Sequence, residues 1–344
     1  MKFGENMKNK FFNGTIIILS FVFLIYFILT KNGIVTFQVI LRTIKVQWLL
    51  VAGFLMILYW LFETLIIHNL TLYLYPKQKP IQSLKAAMVG QFFSSFTPYQ
   101  TGAQPSLFYM LTGEGIDAGT ASSILMMKFV IHQSVLTLYS FIIIVLKFGY
   151  FNSMMPNLLY ICILGFLFNT GIILAALMFS INKKVTRVFL FGILKLLHKV
   201  RIVKDVNKFE VRIEDILKDF HDNAELIAKN FMVLFKVIFI NTFQLTVFYI
   251  IPYCIYRSFN LNEVSLWNML AAQTFVMMIV SMIPSPGGIG GAETSFVLLF
   301  NMFFKGEVYP ALFLWRIISF YSVIVIGGLF TLLLPNRKDE KIKV

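Results

Sequence analysis

Apolar residues run along this chain in blocks too long for a soluble core. Six blocks, at about 11–30, 47–72, 119–146, 157–180, 231–256 and 310–334, carry few charges. A run of roughly 18 or more apolar residues spans hydrocarbon as a helix. Nothing in the blocks alternates with period two, which excludes an outer-membrane barrel. Two further segments, 86–112 and 264–304, are hydrophobic but broken by proline, glycine and polar residues. The pattern predicts an all-α, polytopic membrane helical bundle. It has about six full spans plus two inverted, re-entrant hairpins made of broken helices, within a single domain over 1–344.

The remaining long segment, 181–230, is dense in charges of both signs. Val185, Val188, Phe189, Leu196 and Leu197 recur at helical spacing, and so do Phe209, Ile213, Ile216, Leu217 and Phe220. The pattern predicts one or two amphipathic helices on the cytoplasmic surface. Two readings fit. The segment is a linker packed on the bundle, or its basic first half lies against anionic headgroups.

Composition agrees with the blocks. Hydrophobic residues make up 58% and charged residues 13%, where soluble domains carry about 25% charge. The run from Phe11 to Leu29 lacks a cleavage site and reads as a first span rather than a signal peptide. With the N-terminus inside, 21 Lys and Arg fall in inner loops and tails and 6 in outer loops. That asymmetry predicts a multi-pass membrane protein with both termini cytoplasmic. The net charge of +14 therefore reports topology and an anionic leaflet, not nucleic acid. Cys162 and Cys254 lie inside apolar runs and read as packing residues.

The broken segments carry the candidate chemistry. Ser95, Pro98 and Gly102 match Ser281, Pro284 and Gly288 as S-x-x-P-x-x-x-G. On the predicted topology the first segment opens to the cytoplasm and the second to the outside. Broken helices in matching positions of two inverted halves point to a substrate site near the midplane. In the second segment, Pro284 and Pro286 are expected to end the incoming half-helix. Gly287, Gly288, Gly290 and Gly291 allow a tight turn and close backbone approach. Glu293 falls in the first turn of the outgoing half-helix, where exposed N–H groups can also hold a phosphate. Glu293 would repel that phosphate unless a cation stands between them. In the first segment, Thr97, Tyr99, Gln100, Thr101 and Gln104 offer neutral hydrogen-bonding groups, with Pro98, Gly102 and Pro105 shaping the backbone. They either bind headgroup oxygens or serve their own turn.

Four charged or titratable residues lie at membrane depth: Glu63, Lys128, His132 and Arg316. Such residues face the bundle interior and pair, because bare charge in hydrocarbon costs several kcal/mol. Glu63 with Lys128 and Glu293 with Arg316 are the expected pairs, either locking the bundle or serving transport. Arg316 can also snorkel to outer headgroups. Lys128 and His132, four apart, share a face. His68 and His132 read as satisfied polar residues, and no metal site or cofactor is expected.

The stretch "IPSPGGIGGAE" resembles the P-x-P-G-G-x-G-x-x-E signature of the flippase-like membrane domain family, also called the lysylphosphatidylglycerol synthase transmembrane region. "FTPYQTGAQP" resembles a T-P-x-x-x-G-x-Q-P variant of that family's first hairpin, and the likeness extends over roughly 10–335. The resemblance implies inverted hairpins and movement of a modified phospholipid or lipid-linked molecule between the leaflets of a bacterial-type cell (inner) membrane. In multiple peptide resistance factors this domain precedes a cytosolic aminoacyltransferase, and lysyl transfer is not expected from the present sequence alone. Some members have Arg and Glu in the first hairpin, where Gln104 and Pro105 stand here.

The leading expectation is translocation of an anionic or aminoacylated phospholipid, phosphatidylglycerol or its lysyl form, with a possible separate lipid synthase as partner. There is no phosphate-binding loop for a nucleotide, so transport would run downhill or on an ion gradient, with Glu293 or Glu63 as the candidate proton carriers. The alternative is phosphatidylglycerol lysyltransferase-type aminoacylation contributing to cationic-peptide antibiotic resistance, which needs a separate catalytic domain. A small-solute or ion transporter is a third reading.

Overall fold

The computed structural model describes residues 44–199 and 206–332. The first expected span, 11–30, lies outside the described residues. The described elements are helical. They are α1 (Val46–Leu74), α2 (Pro80–Ser94), α3 (Ala103–Gly113), α4 (Ala118–Met154), α5 (Pro156–Ile181), α6 (Lys183–Lys199) and α7 (Val206–Lys229). They continue with α8 (Phe231–Ser258), α9 (Leu266–Val280), α10 (Gly291–Phe304), α11 (Val308–Arg316), a π turn (Ile317–Tyr321) and α12 (Ser322–Leu332).

Five stretches are long and apolar enough to cross a membrane: α1, α4, most of α5, α8, and α11 to α12 taken together. They coincide with the expected spans, with two differences. The expected span 119–146 continues as α4 to Met154, 37 residues or roughly 55 Å, well beyond a ~30 Å hydrocarbon core. It stops where Pro156 bars helical geometry at Met155, which sits at φ −148°. The last span carries the π turn, which no feature of its apolar pattern announces.

Local chemistry fixes the helix starts. Asp117 accepts from Thr120 N (2.8 Å) and Asn230 from Val233 N (3.1 Å), satisfying orphan donors at α4 and α8. Pro80 opens α2, where a missing N–H costs nothing.

Contacts sort the helix ends into two layers. Lys45 N donates to Ser258 O (2.9 Å), so α1 starts where α8 ends and the two run antiparallel. Lys147 Nζ donates to Asn268 Oδ1 (2.8 Å), and Lys305 pairs with Glu263 (2.5 Å), placing the end of α4, the start of α9 and the end of α10 in that layer. Tyr73 OH reaches Leu226 O (3.5 Å) and Asn223 donates to Thr120 Oγ1 (3.0 Å). The end of α1, the start of α4 and α7 therefore form the opposite layer. The α2–α3 hairpin opens into this second layer and the α9–α10 hairpin into the first. The two hairpins point at each other, and their tips meet in the middle.

The segment 181–230 forms two helices, α6 and α7. Leu217, Phe220, Ala224 and Ile227 of α7 are buried. Gly119 lets α4 approach it, since a Cβ there would lie 2.5 Å from Asp219 Cβ. Packing on the bundle thus describes α7. On α6, Val188 and Phe189 stay exposed while Arg187 pairs with Glu214 of α7.

Candidate functional site at the hairpin tips

At the second tip the incoming helix unwinds early. α9 ends at Val280, four residues before Pro284, and loosens through the bonds Met282 N to Ile279 O (3.1 Å) and Ile283 N to Val280 O (3.0 Å). The half-helix thus finishes just upstream of Pro284 and Pro286. Each bars α geometry in the residue before it, so the helix has to finish upstream. Their role is to set the extended stretch of the tip.

Pro286 then pairs with Pro98 in an isolated antiparallel bridge, which joins the two tips. The tips share one design. Pro98 follows the acceptor of a turn closed by Gln100 N to Thr97 O (3.1 Å), and Pro286 follows that of Gly288 N to Ser285 O (3.1 Å). The next two residues have positive φ in both: Tyr99 (52°) and Gln100 (58°), Gly287 (59°) and Gly288 (69°). The helices α3 and α10 restart five residues after the bridged prolines. Hence 188 positions separate Pro98 from Pro286, Gly102 from Gly290 and Ala103 from Gly291. The S-x-x-P-x-x-x-G match, which equated Pro98 with Pro284, is two residues out of this register. The same spacing separates Lys128 from Arg316, so the two membrane-buried cations occupy equivalent places in the spans that follow the hairpins.

The tips differ in chemistry. In the first, Thr97 Oγ1 accepts from Gly102 N (2.7 Å) and Thr101 Oγ1 donates to Pro98 O (2.9 Å), so both hydroxyls serve their own turn. Gly102 has φ −67°, and its need is space: a Cβ would lie 2.6 Å from Phe93 O. Tyr99 and Gln100 are exposed and Gln104 is half-buried in the first turn of α3.

The second tip is charged. Glu293 accepts from Gly290 N (2.6 Å), closing the start of α10, and its other oxygen meets Arg316 Nη2 at 2.6 Å. Arg316 lies between Trp315 and Phe320, 5.2 and 5.0 Å from their ring centres, with longer contacts of 3.4 Å to Gly287 O and Gly288 O. Its side chain is 9% exposed, against 29% for Glu293. The guanidinium thus points into the bundle and does not snorkel outward, because the carboxylate and the tip carbonyls lie inside. Among the described residues, Arg316 Nε and Ser285 Oγ are buried donors without a hydrogen-bond partner.

Beside this tip lies an open, mainly apolar groove of about 320 Å³, lined by Ile161, Ile279, Ile283, Gly290, Thr294 and Leu298. It runs from the glycine turn along α9 and α10 toward α5.

Glu63, Lys128 and His132 gather elsewhere, between α1, α4 and α8. Lys128 Nζ is 2.7 Å from Glu63 Oε1, and Gln244 donates to Glu63 Oε2 (2.9 Å). Asn241 Nδ2 lies 2.8 Å from Gln244 Oε1 and 3.0 Å from His132 Nδ1. His68 bonds Ser83 Oγ (3.2 Å), away from this cluster. Sequence reasoning did not single out Asn241 and Gln244. It also missed the relay in which Gln133 donates to Asn169 Oδ1 (2.7 Å) and Asn169 Nδ2 to Ser281 Oγ (2.7 Å). Amides three apart inside an apolar run, as in "NTFQ", are the signal that could have found the first pair. Among the described residues no group of three or more His, Cys, Asp or Glu could hold a metal ion. Cys162 and Cys254 are free and buried.

Comparison with known proteins adds a family. The family model described as lysylphosphatidylglycerol synthase TM region matches residues 13–327. No curated protein matches the sequence.

Proposed function

We propose that this chain, which belongs to the lysylphosphatidylglycerol synthase TM region family, moves an anionic or aminoacylated phospholipid between the leaflets of the cell membrane. The family ties it to lipid handling, and its five described spans make it a multi-pass membrane protein. One observation carries the finer reading: a buried guanidinium and a carboxylate side by side at the meeting point of two inverted hairpins.

That pair suits a headgroup bearing both signs of charge. A phosphodiester is attracted to Arg316, which has the unpartnered Nε, and to the hydroxyl of Ser285. A lysyl ammonium is attracted to Glu293. The repulsion between Glu293 and a phosphate is offset because Arg316 stands beside the carboxylate. The groove lined by Ile161 and Leu298 offers an apolar wall for an acyl chain. Movement then consists of opening the cavity alternately past one hairpin and past the other, with both termini cytoplasmic. A separate synthase would supply the lysyl lipid.

The test is translocation in proteoliposomes of fluorescent phosphatidylglycerol and lysyl-phosphatidylglycerol. The wild type is expected to speed both. Glu293→Gln, checked for folding by its thermal midpoint, is expected to lose more of the lysyl-lipid rate than of the phosphatidylglycerol rate. Folded wild-type protein that speeds neither lipid would overturn the reading.

A further inference from the structure

We propose that the Glu63–Lys128 cluster is a proton-binding site, through which a proton gradient drives the lipid movement. This rests on the translocation reading above.

The site is built, not incidental. Glu63 and Lys128 side chains are 9% and 13% exposed, on spans α1 and α4, and a third span supplies Gln244 and Asn241. Replacing such a pair by apolar residues is often neutral or stabilising, so cohesion alone does not account for it. Lys128 is also the repeat counterpart of Arg316. The two pairs differ in setting. Glu293 stands at a tip and is open to a headgroup, whereas Glu63 is enclosed by helices and neutral amides.

The ligand must therefore be small, and the donor set says which one. A metal cation needs several oxygen atoms around it. Here one carboxylate is flanked by an ammonium at 2.7 Å and receives an amide N–H at 2.9 Å. Both neighbours present donors and repel a cation. A proton needs a single lone pair. Asn241 Oδ1, on a residue 1% exposed, is a buried acceptor with no partner among the described residues, at the edge of the cluster.

Proton binding has a mechanical consequence. The 2.7 Å contact is that of a carboxylate on Glu63 with an ammonium on Lys128. A proton taken from one aqueous side makes Glu63 a neutral acid and leaves Lys128 a buried, unpaired cation. That arrangement is unfavourable until α1 and α4 separate enough to hydrate the ammonium. Release of the proton to the other side restores the pair. Among the described residues, the other titratable neighbours are His132 and Tyr139 on α4, Tyr59 on α1 and Tyr249 on α8, while Lys236 on α8 lies by His68. His132 Nδ1 accepts from the Asn241 amide, and its other nitrogen carries the proton in that arrangement.

Two sets of contacts tie the helices around the cluster to the tips. Ser95 Oγ donates to Gln91 O (3.0 Å) in α2, which packs on α1, and Ser95 O lies against Gly287. On α4, Gln133 reaches Ser281 through Asn169.

The experiment uses the full chain in proteoliposomes with a pH gradient of one unit, a lumenal pH dye and fluorescent phosphatidylglycerol. With one proton per lipid, the gradient supports an asymmetry of about tenfold between leaflets. Wild type is expected to build that asymmetry while lumenal pH changes in step. Glu63→Gln is expected to build none, and Glu63→Asp to retain it. Wild type that moves lipid to the same leaflet ratio with and without the gradient overturns the proposal. If wild type moves no lipid at all, the translocation reading fails instead, and infrared difference spectra then decide. A carboxylic-acid band that appears on acidification of wild type and is missing in Glu63→Gln supports the proton site. The same band in both, or in neither, overturns it.

Discussion

At Gly287 the backbone takes φ 59°, and a Cβ there would lie 2.3 Å from Phe320 and 2.7 Å from Ser95 O. Two independent demands meet at this residue: a left-handed turn and a close approach between the hairpins. Gly287→Ala is therefore expected to cost about 1–3 kcal/mol, read as a lower thermal midpoint in detergent. Gly149→Ala, in the last two turns of α4 with nothing within 4 Å of the added Cβ, is expected to leave the midpoint level or slightly raised. Equal losses in the two variants would mean that the tip geometry is not strained. The residue scale also explains what a sequence can reveal. Glu63–Lys128 and Glu293–Arg316 were legible as pairs because hydrocarbon tolerates so few charges that the partners nearly choose themselves. Gln133, Asn169, Asn241 and Gln244 were not, because a neutral amide among apolar residues costs less and stands out less. Tyr99 and Gln100 take positive φ without being glycine, so nothing in their identity marked the first tip's turn.

At the scale of elements, the spans were legible from block length alone, and their ends less so. α4 outruns its apolar block because a helix ends where backbone chemistry stops it, here at Met155 before Pro156, and not where hydropathy falls. The register of the two hairpins was misread by two residues. Both S-x-x-P matches are real in sequence, but turn geometry aligns Pro98 with Pro286, and a short motif cannot separate two nearby prolines. Helix crossings were invisible. α5 meets α9 at Gly165, where a Cβ would lie 2.5 Å from Met278 O, one turn from the Asn169 to Ser281 bond. Gly165→Ala cannot be absorbed by a side-chain rotation, since the obstacle is backbone. It is expected to cost about 1–3 kcal/mol by forcing the helices apart, and to slow lipid movement by lengthening the Asn169–Ser281 contact. Transport at the wild-type rate, from a variant with a lowered midpoint, would show that this crossing is structural and carries nothing to the tip.

Among the described residues, two hairpins open into opposite layers and meet at the Pro98–Pro286 bridge, so orientation decides which side of the membrane each hairpin faces. The contacts define the layers without saying which is cytoplasmic, and the proposed orientation rests on the charge distribution. The layer holding α6 and α7 contains Lys183, Lys184, Arg187 and Lys229, and the loop before α2 adds Lys77 and Lys79, whereas the opposite layer holds few basic residues. Exposed Val188 and Phe189 on α6, beside those lysines, match a helix resting on an anionic inner leaflet. Single-cysteine reporters test the assignment, because Cys162 and Cys254 are buried and slow to react. Lys305→Cys, next to α10, is expected to label with a membrane-impermeant maleimide on intact cells. Lys184→Cys is expected to label after lysis alone. The reverse pattern would turn the molecule over, and the Glu293–Arg316 hairpin would then open to the cytoplasm and load its lipid from the inner leaflet.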